Sequence, residues 1–184
     1  MTKNNIDEVL LVGLPNSGKS SLVNALSRKK VSIIGSTPNT TRDKVSSTIK
    51  RNDKVFNISD LPGYLEDPDE LNEKFQNKLK AYLNDAKLIM FVIDVHTTNY
   101  SGLDKIHSLL QKYINKEQKV ITVFNKCENF KKFELNTELY KYIYDSDYYV
   151  SSIHKLGTEE LMESITKSMS SNTDSIKNTY KSIA

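Results

Sequence analysis

The eight residues GLPNSGKS at positions 13–20 constrain the chain more than any other stretch. They follow the apolar run Val9-Leu10-Leu11-Val12, which reads as a buried strand, and run into Ser20 to Leu26, which reads as a helix. A strand, a glycine-rich loop of form G-x-x-x-x-G-K-[ST] and a helix together make a phosphate cradle. Gly13 and Gly18 let the backbone wrap an anion, and successive N–H groups point at it from the helix start. Lys19 is placed to bridge β- and γ-phosphates, and Ser20 to ligate Mg2+. Asn16, Ser17, Gly18, Lys19, Ser20 and Ser21 form the expected phosphate-binding set.

The rest of the chain repeats the alternation of strand and helix. Val45 to Ile49 and Val55 to Ile58 flank Arg51-Asn52-Asp53 as a hairpin. Leu88 to Val92, Val120 to Phe124 and Tyr148 to Val150 read as further strands. Leu103, Ile106, Leu109, Leu110 and Tyr113 share one helical face. Lys131 to Tyr144 and Glu159 to Met169 read as further helices. The fold class expected is α/β: a mostly parallel six-stranded sheet, one antiparallel edge strand, and helices on both faces. One domain over 1–169 accounts for the pattern. Residues 170–184 are rich in Ser, Asn and Lys and read as a polar linker or tail. A continued amphipathic helix using Ile176, Tyr180 and Ile183 is the alternative.

Composition excludes several classes. With 26 basic and 23 acidic residues the net charge is +3, too mild to indicate a nucleic-acid binder by itself. A single cysteine, Cys127, allows no internal disulfide and suits a reducing, cytoplasmic setting. The polar start MTKNNIDEV lacks the form of a leader, and no apolar run approaches the roughly 18 residues a membrane helix needs. His96, His107 and His154 show no metal-ligand spacing, and Cys127 is expected to be exposed. The basic groups Arg28-Lys29-Lys30, Lys50-Arg51 and Lys131-Lys132 fit RNA contact or a solvated face equally well.

Two further segments complete the phosphate chemistry. Asp60-Leu61-Pro62-Gly63 closes a strand about forty residues beyond the phosphate loop. Asp60 there would hold Mg2+ through water, and the Gly63 N–H would meet a γ-phosphate. In the polar loop STPNTTRD, 36–43, Thr41 (preferred to Thr40) would complete the Mg2+ shell only when the γ-phosphate is present.

GLPNSGKSSLVNAL, PNTTRD, DLPG, NKCE and SSIHKLGTEEL occur in this order from about Val9 to about Ile165. Together they resemble the bacterial Der (EngA) GTPases, most nearly their N-terminal GTPase domain, with the Era group as near relatives. The resemblance implies a Ras-like phosphate-loop fold that binds GTP and GDP with Mg2+ and serves assembly of the large ribosomal subunit. It also implies that a longer parent would carry a second GTPase domain and a KH-like domain. The chain then reads as an excised first domain or a single-domain relative. In NKCE, Asn125 pins the base loop to the phosphate side, the Lys126 stem covers the base, and Glu128 replaces the guanine-reading Asp. Ser151 and Ser152 complete the O6 side through backbone N–H groups, with Ile153 beside them.

A carboxylate accepts from both N1–H and the N2 amino group of guanine. The additional methylene of Glu128 moves it outward by about 1.5 Å. One lost charged hydrogen bond would weaken affinity about 10- to 150-fold. Guanine preference is retained on this reading.

Tyr64 follows DLPG where Ras-type enzymes place a water-orienting Gln. Slow intrinsic turnover follows. The resemblance implies K+ stimulation, with Asn16 as the K+ ligand, so Lys19, Thr41, Gly63 and Asn16 form the expected catalytic set. A nucleotide-binding interaction module with little hydrolysis is the alternative. A phosphate-loop kinase fits less well, because NKCE would then have no role.

Overall fold

The computed structural model describes residues 6–27, 32–35, 45–60, 73–116, 118–128 and 136–169. The elements in chain order are β1 (Asp7–Val12), α1 (Lys19–Ser27), β2 (Ser32–Gly35), β3 (Val45–Arg51), β4 (Lys54–Asp60) and α2 (Glu73–Asp85). There follow β5 (Leu88–Asp94), α3 (Tyr100–Tyr113), β6 (Lys119–Asn125), a 3-10 turn (Thr137–Tyr142), β7 (Ser146–Tyr149) and α4 (Thr158–Ser168).

The strands form one sheet of order β2-β3-β4-β1-β5-β6-β7. β4, β1, β5, β6 and β7 are parallel neighbours, and β3 runs against both β2 and β4. All six strands read from the sequence are present. The short β2 is a seventh, lying outside β3, so the antiparallel strand is second from the edge. Its SIIG stretch is too short for an alternating pattern to stand out.

Why β1 reads as an unbroken apolar run becomes clear from its neighbours. Val9 and Leu11 face a core shared with Leu22, Val23 and Leu26 of α1 and Leu161, Met162 and Ile165 of α4. Leu10 and Val12 face the opposite core, with Leu79 and Leu83 of α2 and Leu103, Ile106 and Leu110 of α3. A strand covered on both faces has no solvent side on which to place polar residues.

Apolar burial decides the attachment of α4. Leu161, Met162 and Ile165 are almost wholly buried, each contributing about 1.5–3 kcal/mol. The ion pair from Arg51 to the half-exposed Glu159 belongs to a class that contributes about 0–1 kcal/mol.

The hairpin between β3 and β4 pairs Arg51 with Lys54, leaving Asn52-Asp53 as a two-residue turn. Asn52 takes φ 54°, a left-handed conformation that Asn tolerates. The sequence reading assigns no helix to 73–85, yet α2 forms there.

The helix expected over 131–144 is corrected. Residues 131–135 lie outside the described residues, and Thr137–Tyr142 is a 3-10 turn. Leu139 and Tyr142, three apart, are both fully buried, as the three-residue turn requires. The buried Thr122 hydroxyl donates to the Tyr142 carbonyl at 2.7 Å and accepts from the Tyr144 N–H at 3.2 Å. These bonds draw the chain onto β6 where an α-helix would have continued. Among the described residues no helix is long and apolar enough to cross a membrane.

Candidate functional site

The parallel strands deliver the polar residues to one edge of the sheet. The 13–18 loop follows β1, Asp60 closes β4, Asp94 closes β5, Asn125 closes β6 and Ser151 follows β7. In parallel sheets the carboxyl ends of the strands are where ligands bind.

The loop after β1 is tightly built. A Cβ on Gly13 would lie 2.2 Å from the Val92 carbonyl oxygen, so the loop passes the end of β5 at a distance only glycine permits. Asn16 at φ 62° and Gly18 at φ 88° turn the chain into α1. The Lys19 ammonium donates to the carbonyls of Gly13 (3.1 Å) and Leu14 (2.9 Å), folding back along the loop.

Ser20 and Asp60 meet. The Ser20 hydroxyl donates to Asp60 Oδ2 at 2.7 Å. The other oxygen, Oδ1, is buried and without a hydrogen-bond partner among the described residues. Burial raises the Asp60 carboxyl above the usual carboxylate range, opposed by the Ser20 bond and the Lys19 charge. Burial also lowers the Lys19 ammonium below its ordinary value, opposed by Asp60. Both charges are therefore held partly out of water, which makes them costly alone and responsive to an added counter-charge. A hydroxyl and a carboxylate with one orphaned oxygen fit a hard, oxygen-seeking cation such as Mg2+.

The ends of β6 and β7 are organised by Asn125. Its Nδ2 donates to the Ser17 carbonyl at 2.9 Å, and its Oδ1 accepts from the Ser152 N–H (3.2 Å) and hydroxyl (2.8 Å). One buried amide thus joins the phosphate loop, the end of β6 and the turn after β7. Gly18 lies directly beneath, where a Cβ would stand 2.2 Å from Asn125 Nδ2.

Lys126, at φ 68°, pairs with Asp94 at 2.6 Å. Asp94 also accepts from the His96 N–H at 2.9 Å. Sequence reasoning missed Asp94; its signal was an acidic residue at the carboxyl end of a central strand. A hollow lined by Gly18, Ser21, Asn125, Lys126, Glu128, Ser151, Ser152 and Ile153 lies beside these contacts. The turn at 151–156 closes on itself through reciprocal backbone bonds between Ser151 and Leu156, 3.0 and 3.1 Å.

Two expectations change here. Cys127 is buried, its N–H donating to the Val150 carbonyl at 3.0 Å, and burial pushes its thiol up to about 11. It anchors the loop after β6 against β7, which is why it is not exposed. The Ser151 and Ser152 N–H groups expected on guanine O6 are engaged within the protein, with Leu156 and Asn125 respectively. A base oxygen at this turn competes with those acceptors. Thr41, Gly63 and Tyr64 lie outside the described residues, as does the 170–184 tail. The residues expected to hold phosphate and Mg2+, Asn16, Ser17, Gly18, Lys19, Ser20, Ser21 and Asp60, lie on the loop after β1, the start of α1 and the end of β4. Those expected on the base, Asn125, Lys126, Glu128, Ser151, Ser152 and Ile153, line one hollow together with Gly18 and Ser21.

Comparison with known proteins agrees with this geometry. The chain is 34% identical over 158 residues to the GTPase Der of Rickettsia bellii (strain OSU 85-389), covering 85% of this chain and 34% of that protein. It is 31% identical over 181 residues to the GTPase Der of Mycoplasmopsis pulmonis, covering 98% of this chain and 40% of that protein. The chain therefore spans well under half the length of these curated relatives.

Among solved structures, a single-substitution variant of Aquifex aeolicus Era bound to GDP and AlF4- superposes with TM-score 0.66 at 29% identity, covering 90% of this chain and 57% of that one. The G domain of the T. maritima FeoB iron transporter superposes with TM-score 0.62 at 29% identity, covering 89% and 98%. The family model described as 50S ribosome-binding GTPase matches residues 8–126, from the first strand through the phosphate loop and Asp60 to Lys126. With that match, the chain belongs to the 50S ribosome-binding GTPase family.

Proposed function

We propose that the chain is a guanine-nucleotide switch that binds GTP and GDP with Mg2+, hydrolyses GTP to GDP and phosphate, and serves assembly of the large ribosomal subunit in the cytoplasm. The observation that carries this reading is Asn125, whose amide couples the phosphate loop to the base-side turn. A phosphate-loop kinase has no need of that coupling. The family and the Der relatives supply the ribosomal direction.

In this reading the Lys19 ammonium leaves the Gly13 and Leu14 carbonyls for the β- and γ-phosphates. That exchange returns a partly desolvated cation to a strong counter-charge. Ser20 and Asp60, with Thr41 from the 36–43 loop, would hold Mg2+, which would supply positive charge to offset that of the phosphates. The loop N–H groups of Asn16 to Ser21 hold the phosphates in line, and the Gly63 N–H meets the γ-phosphate. Water adds to the γ-phosphorus as its bond to the bridging oxygen breaks, releasing GDP and phosphate. Glu128 accepts from guanine N1–H and N2–H, while the Lys126 stem, steadied by Asp94, covers the base.

Tyr64 stands where a water-orienting Gln is absent, so the reaction is slow without additional charge. Asn16, at the exposed tip of the loop, is assigned to K+, which would offset charge developing in the transition state. A second GTPase domain and a KH-like domain belong to a longer parent on this reading.

Phosphate release from GTP, measured with K+ or Na+ as the only difference, tests the proposal. Faster release in K+ is the expected result. Equal release in both removes the role of Asn16, and negligible release with intact GDP binding replaces the enzyme by a nucleotide-binding interaction module.

A further inference from the structure

The hollow beside Asn125 has a titratable residue at its rim that no step above uses. His154 sits in the 151–156 turn, its N–H donating to the Ser151 hydroxyl at 3.4 Å. Its Nε2 lies 4.0 Å from Glu128 Oε1, with the two side chains 55% and 58% exposed. That separation is within ion-pair range but too long for a hydrogen bond, so the contact has force only when the imidazole is charged. Among the described residues, the charges adjacent to this pair in the chain are Lys126, already paired with Asp94, and Lys155 in the turn.

We propose that His154 is a positioning residue for guanine recognition: protonated, it draws the Glu128 carboxylate to the rim of the base hollow and away from the purine edge. The inference rests on the guanine-reading role proposed for Glu128. The length of the Glu side chain is what makes the contact available. An Asp at 128 would carry its carboxylate about 1.5 Å nearer the backbone and beyond the reach of the imidazole. The neutral imidazole releases Glu128 to accept from N1–H and N2–H, and the imidazolium competes with the base for the same two oxygens. The turn holds His154 in place, since Ser151 is locked to Leu156 and Ser152 to Asn125.

The test is calorimetric titration of the whole chain with GDP and Mg2+ at pH 7.5 and 5.5, with ADP as the control ligand, on the wild type, His154→Gln and Glu128→Asp. Titration of the phosphates themselves is common to all three proteins and cancels in the comparison. The expected result is that acidification weakens wild-type GDP affinity about two- to fivefold more than that of His154→Gln, the range of an exposed ion pair. Glu128→Asp is expected to show the same flat response as His154→Gln while still preferring GDP to ADP. Both positions are exposed, so neither substitution threatens the fold, and far-ultraviolet circular dichroism checks this at each pH. Equal pH responses in wild type and His154→Gln, with GDP preferred throughout, overturn the role of His154 and leave the guanine pocket standing. Loss of any preference for GDP over ADP in the wild type at both pH values overturns the guanine pocket and the His154 role together.

Discussion

Gly18 illustrates how one residue ties two ligand functions together. Its φ of 88° belongs to the left-handed region, and its missing Cβ leaves 2.2 Å to Asn125 Nδ2. A methyl group there adds backbone strain of about 1–2 kcal/mol. It also pushes Asn125 off Ser17. Gly18→Ala is therefore expected to weaken GDP binding roughly tenfold or more, since each 1.4 kcal/mol is a factor of ten. Calorimetric titration measures this, and an unchanged affinity would show that the phosphate and base sides are not coupled through this contact. Asp60 shows the opposite bias, toward ligand rather than fold. Its buried Oδ1, unpartnered among the described residues, and its raised pKa are unfavourable in the isolated protein and are relieved by a cation, a pattern common where binding groups are pre-positioned.

At the level of elements, the base-side turn depends on how α4 begins. Gly157 caps α4 with φ 67° and no side-chain hydrogen bond, and a Cβ there would lie 2.2 Å from the Tyr149 carbonyl oxygen. The close approach sets the 151–156 turn directly against the end of β7. Gly157→Ala is expected to destabilise the fold by about 1–3 kcal/mol, read from the urea midpoint, and to loosen Ser151 and Ser152 at the same time. A stability within about 0.5 kcal/mol of wild type would mean that the turn tolerates displacement and does not set the geometry of the base hollow. The 3-10 turn is a second case in which packing outranks local preference. A helix from Lys131 to Tyr144 is the expectation from the sequence, whereas the contact of Thr122 with Tyr142 joins residues twenty apart and leaves no periodic trace.

The described residues form a sheet whose central strands are buried on both faces and whose carboxyl edge gathers residues from five parallel strands and the loops that follow them. Binding a ligand that touches several of those loops stabilises all of them together. GDP with Mg2+ at about 100 times its dissociation constant should add about 2.7 kcal/mol to the folded state. For a chain of this length that is a rise in Tm of about 5–10 °C. Thermal unfolding followed by circular dichroism checks the value. ADP is expected to give little shift, and equal shifts from GDP and ADP would mean that the base hollow does not discriminate.

The sequence alone determined the fold class and six of the strands, because a strand buried on both faces must be apolar throughout and a phosphate loop must change from strand to helix within a few residues. It also determined most of the residues that meet at the ligand edge, since Asn16 to Ser21, Asp60 and Asn125 to Glu128 follow strands whose ends a parallel sheet aligns. What only the tertiary structure decided were contacts between segments far apart in the chain. The Asp94 support of Lys126, the burial of Cys127, the internal engagement of the Ser151 and Ser152 N–H groups and the approach of His154 to Glu128 all belong there. Each depends on which loop lies beside which once the strands have paired, and strand order is fixed by the packing of helices on the two faces, not by any local pattern.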